Sequence, residues 1–416
     1  MPKVSGISAD LIAGTTVAIV ALPLALGFGI TSGMSAAAGL TTAITAGFIA
    51  AIFGGSKYQV SGPTGAMTVV LLPIIHSYGV QAIPFLGLLA GAMVILFALL
   101  HLGKTINRIP WSVVEGFTVG IAFVIALQQL PLAFGIPKGA GERSIIVAIN
   151  TVKDAIASGI HWQVLAVTAL TLLVKFSYPK LAARIGIRVH IPASFMSIVV
   201  ITLTVKLFRL SANTIGDIPR SIGQWAGKNI SVADATHLLW PAFLIALLCA
   251  IESLLSARVA DGMAHQQGDD LYKPNRELFG RGLATAVSSI FGGMPATGAI
   301  ARTSVNVRAG AKSRNAAIFH AVVLLVLALV AAPLVSQIPA AAIVGVLIGT
   351  SYRILNPVSI IESLRTTRSE AVILVSTALA TLIIDLIWGI AIGIVLHFVL
   401  RSLKTYRTKL ESRDET

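Results

Sequence analysis

Long apolar segments recur from Leu11 to Leu400, separated by prolines, glycines and charged residues. A helix needs about 20 mostly apolar residues to cross the hydrocarbon layer of a bilayer, and many of these segments approach that length. The chain of 416 residues is 56% hydrophobic and only 12% charged, with a mean hydropathy of +0.87, far from the balance of soluble proteins. The sequence therefore predicts an all-α polytopic membrane protein.

The breaks between the apolar runs predict fourteen spans. The predicted spans are residues 10–32, 36–53, 62–76, 82–102, 111–134, 161–178, 190–209, 239–260, 276–291, 298–309, 314–333, 339–352, 369–385 and 386–402. The third and the tenth are too short and too interrupted to be ordinary spans.

The tetrapeptide IFGG precedes both short segments, at residues 52–55 and 290–293. The short segments therefore hold the same place in two groups of seven spans. Paired broken segments in corresponding positions are typical of transporters built from an inverted repeat, and they point to the binding site. We predict a 7+7 inverted repeat in which segments 3 and 10 are half-helices.

Basic residues concentrate in the loops on one side of this predicted topology, which the positive-inside rule identifies as the cytoplasmic side. They are Lys104, Arg108, Lys175, Lys180, Arg184, Arg188, Lys273, Arg276, Arg281, Lys312, Arg314, Arg353, Arg365 and Arg368, with Arg401, Lys404, Arg407 and Lys409 in the tail. We expect a multi-pass protein of the cell inner membrane with both termini in the cytoplasm. Topology thus accounts for the net charge of +14, and no nucleic acid partner is predicted.

The first short segment contains Pro63, which lacks a backbone donor and suits the first position of a helix, with Ser61 or Gly62 as the cap. Thr297 and Gly298 are expected to open the second half-helix, opposite the first. Helix N-termini carry unpaired N–H groups and a partial positive charge. Two opposed N-termini in mid-membrane predict a small site for an anion.

Arg302 lies within about a turn of the second half-helix start, and a guanidinium at this depth must face the protein interior. It is interpreted either as an anion ligand or as a structural partner of Glu252 or of freed carbonyls. Glu252 lies near the middle of its span, and Ser256 shares its helix face. An intramembrane carboxyl predicts a proton relay or a cation ligand.

Other chemistry is weakly represented in the sequence. Cys249, the single cysteine, lies in an apolar run, which excludes a disulfide framework within one chain. No metal-ligand set and no pair of nucleophile and base stands out, so we predict neither an enzyme nor a metal or cofactor site.

Several stretches together resemble the SulP (sulfate permease) family of anion transporters over nearly the whole chain. They are ALPLALGFGI, FGGSKYQVSGPTGAMTVV, VVEGFTVGIAFVIALQQLP, AIESLLSARVADGM, FGGMPATGAIARTSVNVRAGAKS and LIIDLIWGIAIGIVL. The resemblance implies a core domain made of residues 1–105 and 211–335, and a gate domain made of residues 106–210 and 336–403. It also implies an elevator-like sliding of the core against the gate, with a homodimer as the expected assembly.

The resemblance further implies the residues of the anion site and of coupling. The expected substrate-binding residues are Phe28, Thr64, Gly65, Ala66, Ala301, Arg302 and Thr303, and the expected coupling residues are Glu252 and Ser256. Leu24 stands where many animal members have Gln, which leaves the choice of anion open. Residues 404–416 form a cytoplasmic tail in place of the STAS domain usual in the family, because this member lacks that domain or the sequence is truncated before it.

The function expected from these residues and this resemblance is secondary active anion transport. Glu at the position of Glu252 resembles bacterial proton-coupled members and favours proton symport of a small dicarboxylate such as fumarate, of bicarbonate or of sulfate. The alternatives are a sodium-coupled bicarbonate carrier and an uncoupled anion channel or exchanger. A nucleobase carrier of the same fold is disfavoured, because it would hold the base with carboxyls rather than with an Arg.

Overall fold

The computed structural model of the protein describes residues 6–106, 108–141, 143–186, 191–217, 232–355, 357–384 and 386–414. The predicted loop charge Arg188, the first residue of the seventh predicted span (190) and the last of the thirteenth (385) lie outside these ranges. The helices up to residue 217 are α1 (Gly6–Thr31), α2 (Ala36–Phe53), α3 (Gly65–Tyr78), α4 (Ile83–Leu99), α5 (Gly103–Ile106), α6 (Trp111–Gln128), α7 (Leu130–Phe134), α8 (Ser144–Ser158), α9 (Trp162–Ile185) and α10 (Ala193–Leu207).

The remaining helices are α11 (Val232–Met263), α12 (Pro274–Ile290), α13 (Ile300–Arg308), α14 (Asn315–Val330), α15 (Ala332–Val335), α16 (Ala340–Ile354), α17 (Pro357–Thr366), α18 (Arg368–Ile383) and α19 (Leu386–Asp414). Two short strands, β1 (Ser61–Gly62) and β2 (Thr297–Gly298), interrupt the helical pattern, so the prediction of a purely α-helical fold was incomplete.

Each predicted span overlaps a helix, and six helices of the described residues are long and apolar enough to cross a membrane. The chain is thus a helical multi-pass membrane protein, while the count of fourteen crossings remains a prediction. Within the same described ranges, three helices lie wholly outside the predicted spans: the single turn α5, then α8 and α17. Helix α8 exposes Ile149 and Ile156 and buries Thr151, and α17 is linked to α6 by a hydrogen bond from the Ser363 hydroxyl to the Glu115 carboxylate.

Helix packing brings distant parts of the chain together. Helix α1 packs against α2 and α14, and α4 packs against α12. Separately, α6 packs against α18, and α9 packs against α10 and α16. The first set comes from the two segments predicted to form the core domain and the second from the predicted gate domain, a division that remains a prediction.

Two basic residues expected in cytoplasmic loops are buried inside the protein instead. The Lys175 ammonium on α9 donates to the Val346 carbonyl at 2.6 Å and to Thr350 Oγ1 at 2.7 Å on α16. Arg281 on α12 pairs with Glu277. The positive-inside rule counts charges by their place in the sequence, so it misassigns a cation whose acceptors come from its own or a neighbouring helix.

Candidate functional site

The two broken segments cross in an antiparallel pair of strands. Ser61 pairs with Gly298, and Gly62 pairs with Thr297, so the two broken segments that were predicted to lie opposite one another are in contact. The Ala299 amide extends the ladder by donating to the Val60 carbonyl at 3.0 Å. The short ladder satisfies backbone groups that would otherwise be unpaired between two helix ends in the protein interior.

Helix α3 begins after this ladder, at Gly65, with Thr64 as its cap. The Thr64 backbone is extended, and its Oγ1 accepts a hydrogen bond from the Met67 amide at 3.4 Å. The predicted start at Pro63 with Ser61 or Gly62 as the cap was therefore wrong by two residues. Ser61 and Gly62 are engaged in the ladder, and a threonine hydroxyl is an effective N-terminal cap.

Helix α13 begins at Ile300, with Ala299 as its cap residue and no hydrogen bond from a capping side chain. Thr297 and Gly298 were predicted to open this helix, but they form β2 instead. An N-terminus without a side-chain cap leaves its first amides, among them that of Ala301, available to another acceptor. Helix α13 therefore offers more free donors than α3.

A chain of hydrogen bonds joins the two broken segments to α11. The Thr297 hydroxyl donates to Thr64 Oγ1 at 3.0 Å, and the Thr64 hydroxyl donates to Glu252 Oε2 at 2.9 Å. All three side chains are buried. The coupling carboxyl predicted from sequence therefore lies beside the cap of one half-helix and the strand that precedes the other.

A second hydrogen-bonded group lies one turn further along α11. The Ser256 hydroxyl donates to Thr303 Oγ1 at 3.1 Å, and the same oxygen accepts from the Val60 amide at 3.0 Å. Both Ser256 and Thr303 are buried. These hydrogen bonds connect α11, α13 and Val60, the residue before β1. Thr303 is thus a structural partner of Ser256 that the sequence did not indicate.

Arg302 is buried behind the ladder with only 1% of its surface exposed. Its Nη2 donates to the Pro63 carbonyl at 2.9 Å, while Nη1 has no hydrogen-bond partner among the described residues. The sequence analysis offered Glu252 or a freed carbonyl as a structural partner of Arg302, and the hydrogen bond to Pro63 corresponds to the carbonyl. Among the described residues, Arg302 and Glu252 form no ion pair. The guanidinium keeps one nitrogen free for another acceptor.

Phe28, Gly65 and Ala66 lie where α1 and α3 meet the predicted gate. A Cβ on Gly65 would collide with Ile125 of α6 and lie 3.3 Å from Cε1 of Phe28. Phe28 and Ala66 are buried, and Ala301 is partly exposed. Phe28 and Gly65 thus lie close to one another and to α6, while Arg302 contacts Pro63 and Thr303 contacts Val60 beside the ladder; anion binding by these residues stays a prediction.

Three residues of the neighbouring network were missed as functional residues in the sequence. Arg281 Nη2 donates to Glu277 Oε1 at 2.8 Å and to Gln59 Oε1 at 2.9 Å, and Gln59 Nε2 donates to the Ser253 carbonyl at 2.7 Å. An acid and an Arg four residues apart in one helix are a detectable signal for an ion pair. They were overlooked because they adjoin a loop.

Comparison with known families decides the family of the chain. Residues 7–377 match the family model of the Sulfate permease family. The chain belongs to this family. Its members are transporters, which confirms the prediction that the chain is not an enzyme.

Individual relatives support the assignment over most of the chain. The chain is 35% identical to the putative sulfate transporter YvdB of Bacillus subtilis, covering 94% of this chain and 72% of that protein. It is 30% identical to the bicarbonate transporter BicA of Picosynechococcus, covering 95% of this chain and 70% of that protein. The structure of the transmembrane domain of a cyanobacterial BicA matches with a TM-score of 0.82 at 29% identity, covering 93% of this chain and 98% of that one.

Proposed function

We propose that this protein is a secondary active transporter of a small anion, in which Glu252 binds the proton that is carried with the anion. The observation that carries the proposal is the hydrogen-bond chain from Thr297 through Thr64 to Glu252. It places a titratable carboxyl directly at the crossing of the two broken segments. Buried ionisable groups in membrane transporters belong to substrate pathways and proton relays.

The anion is held by fixed partial and full positive charges. The uncapped amides at the start of α13, the start of α3 and the free Nη1 of Arg302 all carry positive charge near the crossing. Backbone amides and a guanidinium match the oxygens of an oxyanion or a carboxylate.

Charge balance supplies the reason for coupling. Glu277 and Arg281 neutralise one another, so Glu252 and Arg302 decide the charge around the crossing. A proton on Glu252 leaves the Arg302 charge uncompensated, which favours entry of an anion. An ionised Glu252 opposes entry. Proton and anion therefore bind best together, and the loaded site moves as a unit of low net charge.

Sulfate and bicarbonate are the first substrates to test, because the names of the relatives specify them. Fumarate, favoured by the sequence interpretation, is the third. We further propose the elevator movement of the core against the gate, a homodimeric assembly, and a location in the inner membrane with both termini in the cytoplasm. The helix packing described above supports two separable bodies.

A sodium-coupled bicarbonate carrier is the second candidate. The oxygens of Glu252, Thr64 and Thr297 converge by hydrogen bonding, and oxygen groups beside broken helices are suited to sodium as well as to a proton. The identity of 30% to a bicarbonate transporter favours the same substrate. An uncoupled channel would make no use of Glu252.

The test is uptake into proteoliposomes of radiolabelled sulfate, bicarbonate and fumarate, each with a proton gradient, a sodium gradient or neither. We expect one anion to accumulate with an inward proton gradient. Glu252→Gln is expected to retain exchange of anion for anion and to lose accumulation, while Arg302→Met is expected to lose anion binding. Accumulation that follows sodium alone would establish the second candidate, and equal uptake under all gradients would establish a channel or exchanger.

A further inference from the structure

A buried polar network has no role in the proposed transport cycle. Arg281 is fully buried on α12, and Glu277 one turn earlier balances its charge. This ion pair does not explain why Arg281 also contacts Gln59. Gln59, the third member, lies just before β1 and is also buried. The network therefore spans the interval between the turn after α2 and the coupling helix α11.

One end of the network is fixed to the backbone of that turn. Glu277 Oε2 accepts from the Gly55 amide at 2.8 Å and from the Ser56 amide at 3.0 Å. Its Oε1 accepts from Arg281 Nη2, and this same nitrogen donates to Gln59 Oε1. A hydrogen bond with an ionised donor is stronger than one between two neutral groups, so the Arg281 guanidinium holds the Gln59 amide in one orientation.

The other end reaches the residue that follows Glu252. Gln59 Nε2 donates to the Ser253 carbonyl, and the Ser253 hydroxyl accepts from the Gly298 amide at 3.1 Å. The Gln59 amide occupies the space where a Cβ of residue 298 would lie, so glycine is required there. Gln59 thereby links α11 to both strands of the ladder.

We propose that Arg281 and Gln59 are positioning residues for proton coupling: Arg281, acting through Gln59, holds α11 at Ser253 so that the adjacent Glu252 carboxyl meets Thr64. The inference rests on the proposed function of Glu252. A displacement of about 1 Å in a reacting group is enough for a large loss of rate, so a fixed backbone at Ser253 has a direct functional consequence. Neither residue is among the proposed ligands of the anion.

The contacts suggest a substitution that removes positioning and preserves folding. In Gln59→Met the side chain keeps its approximate length, Arg281 keeps its pair with Glu277, and Ser253 keeps its helix hydrogen bonds. We expect anion exchange in proteoliposomes to keep its KM, while proton-driven accumulation falls about tenfold or more. Gln59→Asn, whose shorter amide cannot reach both partners, gives the same expectation and serves if the methionine variant does not fold.

Arg281→Lys is the conservative control. Lysine keeps the positive charge beside Glu277 and carries three N–H donors, but its ammonium lies about one bond short of the Nη2 that makes both hydrogen bonds. We therefore expect this variant to retain more accumulation than the Gln59 variants. The charge-balanced double variant Glu277→Gln/Arg281→Met removes the hydrogen-bond donor of Gln59 without leaving a buried charge, and we expect it to lose accumulation while retaining exchange.

Glu252→Gln in the same assay separates the two levels of the proposal. If Glu252→Gln still accumulates the anion, the proposed function fails. If Glu252→Gln loses accumulation while the folded Gln59 variant and the double variant both accumulate normally, the proposed function stands and the positioning role is overturned. A folded Gln59 variant that loses exchange as well as accumulation also overturns the positioning role, since Gln59 would then affect the anion site too.

Discussion

Thr64 is the residue at which the cap of α3 meets the proposed proton site. Its single hydroxyl oxygen accepts from the Met67 amide and from Thr297, and it donates to Glu252. A hydroxyl has one proton and two lone pairs, so all three are used. The cap that starts α3 therefore also fixes the orientation of the coupling carboxyl.

Thr64→Val is expected to remove these three hydrogen bonds at nearly constant volume. We expect a loss of about 1–2 kcal/mol in the free energy of unfolding from the lost cap and the unpaired buried groups. Proton-driven accumulation should fall as well, because Glu252 loses the donor that orients it.

Thr64→Ser is the matched control, since serine keeps the hydroxyl and is an equally good cap. Thermal unfolding in detergent and uptake in proteoliposomes measure the two effects separately. Accumulation by Thr64→Val at the level of the unchanged protein would mean that Glu252 is oriented without Thr64.

At the scale of elements, the ladder of β1 and β2 sets the distance between the two half-helices and encloses Arg302. A Cβ on Gly62 would collide with Nη1 of Arg302 and lie 3.3 Å from the Cα of Ala43. Because Arg302 is buried and hydrogen-bonded to Pro63, its guanidinium is unable to move aside while keeping that bond. Glycine at residue 62 is thus what lets the guanidinium approach the strand.

Gly62→Ala is expected to displace the guanidinium and to raise the KM for the anion, with a cost in stability of about 1–3 kcal/mol from overpacking. Gly47→Ala, in the helix α2 that packs against the same strand, is the control. A Cβ on Gly47 would lie 3.6 Å from the Ser61 carbonyl oxygen and 3.8 Å from Cδ2 of His320, which are ordinary contacts.

Gly47 lies within helix α2, so its replacement by Ala should leave KM unchanged and be neutral or stabilising by about 0.5–1 kcal/mol. Initial uptake rates over a range of anion concentrations measure KM for both variants. Equal KM values for Gly62→Ala and the unchanged protein would show that the position of the guanidinium does not affect the anion site.

The ladder also shows what the sequence was able to predict. Repetition of IFGG and the paired breaks correctly brought Gly62 and Thr297 together. The exact helix starts were not predictable, because Ser61, Thr297 and Gly298 are equally suitable as caps and as ladder residues. Whether such a residue caps a helix or joins the ladder depends on the strand it pairs with, and a single sequence does not show which strands pair.

The same limit applies to the internal charges. Glu252 was detectable because it lies near the middle of an apolar span, and Arg302 because it lies close to the start of a broken segment. Lys175 was assigned to a loop because its acceptors become visible only when α9 meets α16. Arg281 was assigned to a loop because its segment adjoins one, although Glu277 four residues earlier is a local signal of pairing. Partners that come from distant segments are determined by packing, which local sequence patterns do not encode.

At the scale of the whole molecule, transport by an elevator requires the core to slide along the gate. The surface between α1 and α16 is a place where this movement can be stopped. A Cβ on Gly27 would lie 2.6 Å from Cγ2 of Ile343 and 2.8 Å from Cδ1 of Leu347, so the helices are in close contact here. Gly27 precedes Phe28, so this contact adjoins the proposed anion site.

A disulfide between Gly27→Cys and Ile343→Cys is expected to stop transport. Because Cγ2 is one bond from Cβ, the two Cβ atoms would lie within about 4 Å, the range that a disulfide requires. With the native thiol removed by Cys249→Ala, oxidation should abolish both exchange and accumulation, and a reductant should restore them. The physical reason is that a covalent bond holds the core and the gate in one relative position.

A disulfide within the predicted core is the control. Cys249 Sγ lies 3.8 Å from Thr285 Oγ1, so Thr285→Cys should pair with the native thiol and join α11 to α12. Because both helices would move together, transport should continue after oxidation, and gel mobility of a protease-cleaved sample measures the extent of each cross-link. Unimpaired uptake by a fully cross-linked Gly27–Ile343 variant would exclude sliding of α1 along α16, and the anion would then have to cross by movement of other elements.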